Sequence, residues 1–136
     1  MPVSDFNGLR AAVDNYLADS TIHQRHDSIA AACRKAVTEA GLELYLESGW
    51  ANTVTVINVP AQTTAADILR TMQEDYNIMI AGSFDILAGK VIRIGHMGEN
   101  AYPEKMAPVM DALQNTLRKL GVPVQCDMKD VFLKAL

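Results

Sequence analysis

The sequence predicts an α+β fold: a small, mostly antiparallel sheet with helices packed on one face and a long helical segment at the N-terminus. Three observations carry this. Ile29 to Ala40 and Met106 to Leu120 repeat apolar residues at helical spacing. Thr53 to Val59, TVTVINV, is dense in β-branched residues and reads as a strand. Ile78 to Gly98 reads as strand, glycine-bounded loop, strand and tight turn, and it sets Arg93 inside an otherwise apolar strand. Strands separated by single helices, after a helical preface, imply a sheet covered on one side and free on the other.

In chain order, Ser4 is the predicted N-cap of the first helix, with Leu9, Ala12, Val13, Tyr16 and Leu17 at helical spacing. Asp19-Ser20-Thr21 bends or interrupts that helix, so the preface is one bent helix or two in succession. Gly41 stops the stripe that begins at Ile29. Leu42 to Leu46 reads as a strand, and Glu47 to Asn52 as a loop bearing Trp50. Pro60 ends the Thr53 strand. Thr64 and Asp67 cap a helix that runs to about Tyr76. The strands Ile78–Ile80 and Val91–Ile94 follow, separated by a loop between Gly82 and Gly89. Pro103 suits the first position of the next helix, and Pro108 either kinks it or marks its regular start. A short last helix is expected over Asp127 to Ala135.

A chain of 136 residues fits a single domain, 1–136. With 49% hydrophobic and 21% charged residues it has the composition of a soluble globular protein. A net charge of −4 speaks against a nucleic-acid or anionic-membrane partner. No apolar run is long enough to span a bilayer. The start, MPVSDFNG, lacks the plan of a secretory signal. Cys33 and Cys126 have no metal-ligand spacing, so a reducing cytoplasm is the expected setting.

Alternation places Ile92 and Ile94 on one face of their strand and Val91 and Arg93 on the other. A guanidinium in an apolar strand is costly unless paired. Two fates fit Arg93: it snorkels or meets an internal carboxylate, or it waits for a ligand carboxylate that suits its planar fork. His96, between Gly95 and Gly98, reads as a polar contact at an interface or as a neighbour of a substrate. His23 and His26 share a helix face, but no further ligands lie nearby in sequence, so a solvated face outweighs a metal site. The glycines at 82, 89, 95 and 98 spell no phosphate-binding motif.

Three segments together resemble the C-terminal domain of class V aminotransferases, pyridoxal 5'-phosphate enzymes of fold type I, and most of all the serine–pyruvate and alanine–glyoxylate group. They are PVSDFNGLRAAVDNYL (Pro2 to Leu17), NTVTVINVP (Asn52 to Pro60) with the following helix and EDYNIMIAGS, and LAGKVIRIGHMGENAYPEKM (Leu87 to Met106). The resemblance covers residues 2–120, and the tail 121–136 matches less clearly. It implies that Arg93, the arginine of RIGHMG, binds the α-carboxylate of a small amino acid or 2-oxo acid. Gly82, Gly95 and Gly98 then shape the backbone around it, with His96 beside them. It further implies that the lysine bonded to the cofactor belongs to a large domain preceding this one, since none of the six lysines here has a matching context. The chain is then expected to be a detached small domain, cut out, truncated or one half of a split enzyme. It would be inactive alone, and would either dock to a large domain or pair with a second copy. The competing expectation is a stand-alone oligomerisation or small-carboxylate-binding module.

Overall fold

The computed structural model describes residues 2–136. In order, the elements are α1 (Val3–Ala18), α2 (Ile22–Glu39), β1 (Val54–Asn58), α3 (Ala65–Tyr76), a 3₁₀ turn (Asp85–Leu87), β2 (Val91–Gly95), a second 3₁₀ turn (Gly98–Asn100), α4 (Pro103–Lys119) and α5 (Met128–Lys134). The architecture is α+β, as the sequence predicts.

The helical preface is two helices. Between them Asp19 takes hydrogen bonds from the Thr21 backbone and hydroxyl, at 2.9 and 2.7 Å, and from Arg25 at 2.7 Å. These donors hold the Asp19 carboxyl at a pKa of about 2. Pro2 occupies the cap position of α1 with no side-chain cap bond, so Ser4 lies inside the helix instead of capping it. The stripe of α2 turns inward and buries Ile29, Cys33, Ala36 and Val37. At the start of α3, Thr64 accepts from the Asp67 amide at 3.1 Å. Pro108 lies within α4 and does not begin it. α5 drives Met128 and Phe132 fully into the core.

β1 and β2 are antiparallel, with Thr55 opposite Ile94, Val56 opposite Arg93 and Ile57 opposite Ile92. The predicted strands Leu42–Leu46 and Ile78–Ile80 do not form as such. Each flank makes a single antiparallel bridge, Leu44 to Ile57 on one side and Ala81 to Arg93 on the other. The reason is local. Both segments leave a helix through a left-handed residue, Gly41 at φ +83° and Asn77 at φ 54°. Their first amides are spent on the helix end: Leu42 donates to the Val37 carbonyl and Ile78 to the Met72 carbonyl, both at 3.2 Å.

Ile57, Ile92 and Ile94 join α2, α3, α4 and α5 in one buried cluster. The other face of the ladder carries no helix. α1 forms as a helix yet buries none of its residues, and Phe6, Leu9 and Leu17 are each more than half exposed.

Candidate functional site

Arg93 stands on the helix-free face of β2, half-buried. Its backbone is fixed on both sides: it pairs with Val56 of β1 and exchanges amide–carbonyl bonds with Ala81 at 2.7 and 3.0 Å. Its Nε donates to the Gly82 carbonyl at 2.7 Å. Its Cζ lies 5.9 Å from the centre of the Phe84 ring, within cation–π range. Among the described residues, no carboxylate lies within ion-pair distance of Arg93, and its two terminal nitrogens make no hydrogen bond. Pairing with an internal carboxylate is thus not adopted among the described residues, and the Arg93 side chain reaches a backbone carbonyl on the open face instead.

Around Arg93 is a shallow depression of about 390 Å³, walled by Tyr45, Val56, Phe84, Ile86 and Val91. A second hollow of about 200 Å³ adjoins it through Leu46 and Val56 and is closed by Trp50. Arg34 lies over the Trp50 ring at 4.9 Å, and Trp50 donates to the Leu46 carbonyl at 2.8 Å. The result is one guanidinium in a mostly apolar, solvent-open depression whose lining also includes Ser83 and Asp85. The wall around Arg93 is the part that sequence reading missed. Its signal is there in hindsight, in three bulky apolar residues, Phe84, Ile86 and Leu87, inside a loop bounded by glycines.

The other predicted site residues separate. Gly82 is beside Arg93 and is tightly packed, since a Cβ there would sit 3.3 Å from Leu69 Cδ1. Gly95 is exposed on the same face, opposite Val54. His96 is not on that face. It continues the inward alternation of Ile92 and Ile94, is fully buried, and places Nε2 2.8 Å from the Thr55 hydroxyl. Burial pushes its pKa down to about 4, and its Nδ1 has no hydrogen-bond partner among the described residues. Gly98 begins the second 3₁₀ turn, at φ +57°, and donates its amide to His26 Nε2 at 3.0 Å. His23 contacts the Tyr16 hydroxyl at 2.8 Å, so the two helix histidines turn to different partners.

The residues present do not fit a covalently held pyridoxal phosphate. All six lysines are exposed, and none lines the depression beside Arg93.

The chain is thus a helix-backed sheet with one uncovered, arginine-bearing face. Sequence and structure comparisons identify its relatives. The serine–glyoxylate aminotransferase of Arabidopsis thaliana is 33% identical over 121 residues, which make up 86% of this chain and 30% of that protein. The L-aspartate–glyoxylate aminotransferase of Paracoccus denitrificans is 31% identical over 128 residues, 91% of this chain and 32% of that protein. Among solved structures, the pyridoxamine–pyruvate aminotransferase of Mesorhizobium loti matches 98% of this chain with a TM-score of 0.92 at 27% identity, over 36% of its own length. No protein-family model matches the chain. The chain thus spans about a third of the length of the curated relatives it matches, 30% and 32% for the two named. Its homologues are class V pyridoxal-phosphate aminotransferases, and it corresponds to their small domain alone.

Proposed function

We propose that this chain serves a class V aminotransferase as its small domain, and that Arg93 holds the carboxylate of the amino-acid or 2-oxo-acid substrate. One observation carries the reading: a half-buried guanidinium on the helix-free face, with no carboxylate within ion-pair distance among the described residues. Because the Gly82 carbonyl engages Nε, the two terminal nitrogens remain as a planar pair. That pair suits end-on, two-point binding of a carboxylate. Holding the carboxylate orients the substrate's reacting end, a positioning task. Gly82 serves it through its carbonyl, and Gly95 by leaving the surface beside Arg93 bare. The cofactor, pyridoxal phosphate, and the lysine that bonds it would be supplied by a large domain covering this face. The substrates would be a small amino acid such as serine or alanine and a short 2-oxo acid such as glyoxylate or pyruvate. A cytoplasmic setting accords with the free thiols of Cys33 and Cys126.

The test is a pyruvate titration of the chain followed by NMR at the Arg93 side chain. Pyruvate should shift the Arg93 Nε–H signal with weak affinity, on the order of 10 mM or above, as suits a single ion pair open to solvent. Arg93→Gln should abolish the response, and Arg93→Lys, which keeps the charge but loses the fork, should weaken it. Equal binding by Arg93→Gln overturns the reading.

A second reading is favoured by the exposed apolar side chains of α1 and of the Phe84–Ile86 loop: a stand-alone module that pairs with a second copy. Co-purification of a large-domain chain decides for the first reading over the second.

A further inference from the structure

We propose that His26 is a positioning residue for Arg93, fastening the turn that follows β2 to helix α2. The inference rests on the reading of Arg93 given above and adds a residue far from it in sequence.

The contact spans 72 positions of the chain: the Gly98 amide donates to His26 Nε2 at 3.0 Å. An amide N–H can only donate, so Nε2 must offer its lone pair. The ring proton then sits on Nδ1, which lies 2.7 Å from the Ile22 carbonyl, an acceptor. Two contacts at opposite ends of the ring therefore select one neutral tautomer, and the ring is held at both. Ile22 lies one helical turn earlier on α2, while Ile29 and Ala30, one turn later, are buried in the core. His26 thus projects from a firmly seated part of α2.

What it holds is the exposed turn between two buried residues, His96 and Ala101. Arg93 is followed by Ile94 and Gly95, and Gly95 is exposed with no side chain to pack. Beyond it the chain is pinned by the buried His96 ring, which meets the Thr55 hydroxyl at 2.8 Å, and at three further points. His96 donates its amide to the Thr53 carbonyl at 2.9 Å, Gly98 meets His26, and Tyr102 lies under Arg25 at 4.4 Å. Arg25 and His26 are consecutive, so the start of α2 grips both ends of the segment 98–102. With the turn fastened, the end of β2 keeps its alignment against β1 and Ala81, and the Arg93 Nε stays on the Gly82 carbonyl. The sequence reading treats His26 as part of a solvated face; the structure gives it a specific acceptor role.

Two variants separate that role from general packing. His26→Gln places a carbonyl oxygen at the ε position and can still accept from Gly98, whereas His26→Leu cannot. The unaltered chain should show, by ¹⁵N NMR, a histidine ring protonated at Nδ1 and bare at Nε2. In His26→Leu, with the fold verified by far-UV circular dichroism, the Gly98 amide should exchange about threefold to tenfold faster, the effect of losing one hydrogen bond. The Arg93 Nε–H should exchange faster as well, and pyruvate affinity should fall by a similar factor. His26→Gln should recover much of each. Unchanged Gly98 exchange in His26→Leu overturns the proposal, and so does faster Gly98 exchange that leaves Arg93 Nε–H untouched. If pyruvate fails to move Arg93 even in the unaltered chain while His26→Leu still disturbs its Nε–H, the carboxylate reading falls and the fastening by His26 stands.

Discussion

Arg93 and His96 are three positions apart and sit on opposite sides of the same run of backbone. The pleat decides this. Arg93 goes out with Val56, and His96 goes in with Ile94 to meet Thr55. Sequence proximity made His96 look like a neighbour of Arg93, because two glycines hid whether the alternation continued past the strand. Burial gives His96 a testable signature. Its folded pKa, about 4, lies below the ordinary 6.5, so the unfolded chain binds more protons between those values. Stability from this group is complete above pH 6.5 and is lost as pH falls toward 4. Urea unfolding at pH 7 and pH 4.5 should therefore differ by on the order of 1–3 kcal/mol from His96 alone. His96→Gln should flatten that part of the difference, and an unchanged pH dependence in this variant would contradict the account.

At the scale of elements, α1 and α5 exchange the importance their sequences suggest. α1 is 16 residues long with an apolar stripe from Leu9 to Leu17, yet none of its residues is buried. α5 is only seven residues long, yet it packs against both α2 and α4 and contributes Phe132 and Met128 to the core. Removing Val3 to Ala18 should change unfolding free energy by less than about 1 kcal/mol, since surface changes seldom exceed that. Phe132→Ala should cost about 3–5 kcal/mol through the cavity it leaves. Chemical denaturation of the two variants measures both; a large loss on removing α1 would mean that its stripe is covered after all. The periodic helices were legible from their spacing, as was the cap at Thr64, whereas Ser4 proved to lie inside α1. The flanking strands were not, because strand formation depends on free amides, and helix ends claim those of Leu42 and Ile78.

For the whole molecule, the apolar stripe of α1 and the face around Arg93 are both uncovered among the described residues. Sedimentation equilibrium should detect concentration-dependent self-association, and Phe6→Glu with Leu9→Glu should reduce it where α1 contributes. Strictly monomeric behaviour at high concentration would argue that neither surface is sticky enough to pair. With pyridoxal phosphate, serine and glyoxylate supplied, the chain alone should turn over nothing, because its exposed lysines offer no sheltered place for the cofactor. Amino transfer at a measurable rate by the chain alone, lost on replacing one lysine, would relocate the cofactor site to this domain. Adding a class V large domain is the condition under which Arg93 should affect turnover.

Local rules determined the helices, the cap at Thr64 and the outward direction of Arg93, because periodicity and short-range hydrogen bonds are written in neighbouring residues. Only the tertiary structure decided that Gly82 takes the Arg93 Nε, that His26 receives Gly98, that His96 lies under the sheet and that α1 buries none of its described residues. Each of these depends on which surfaces meet across tens of residues, and such meetings follow from the packing of the whole core.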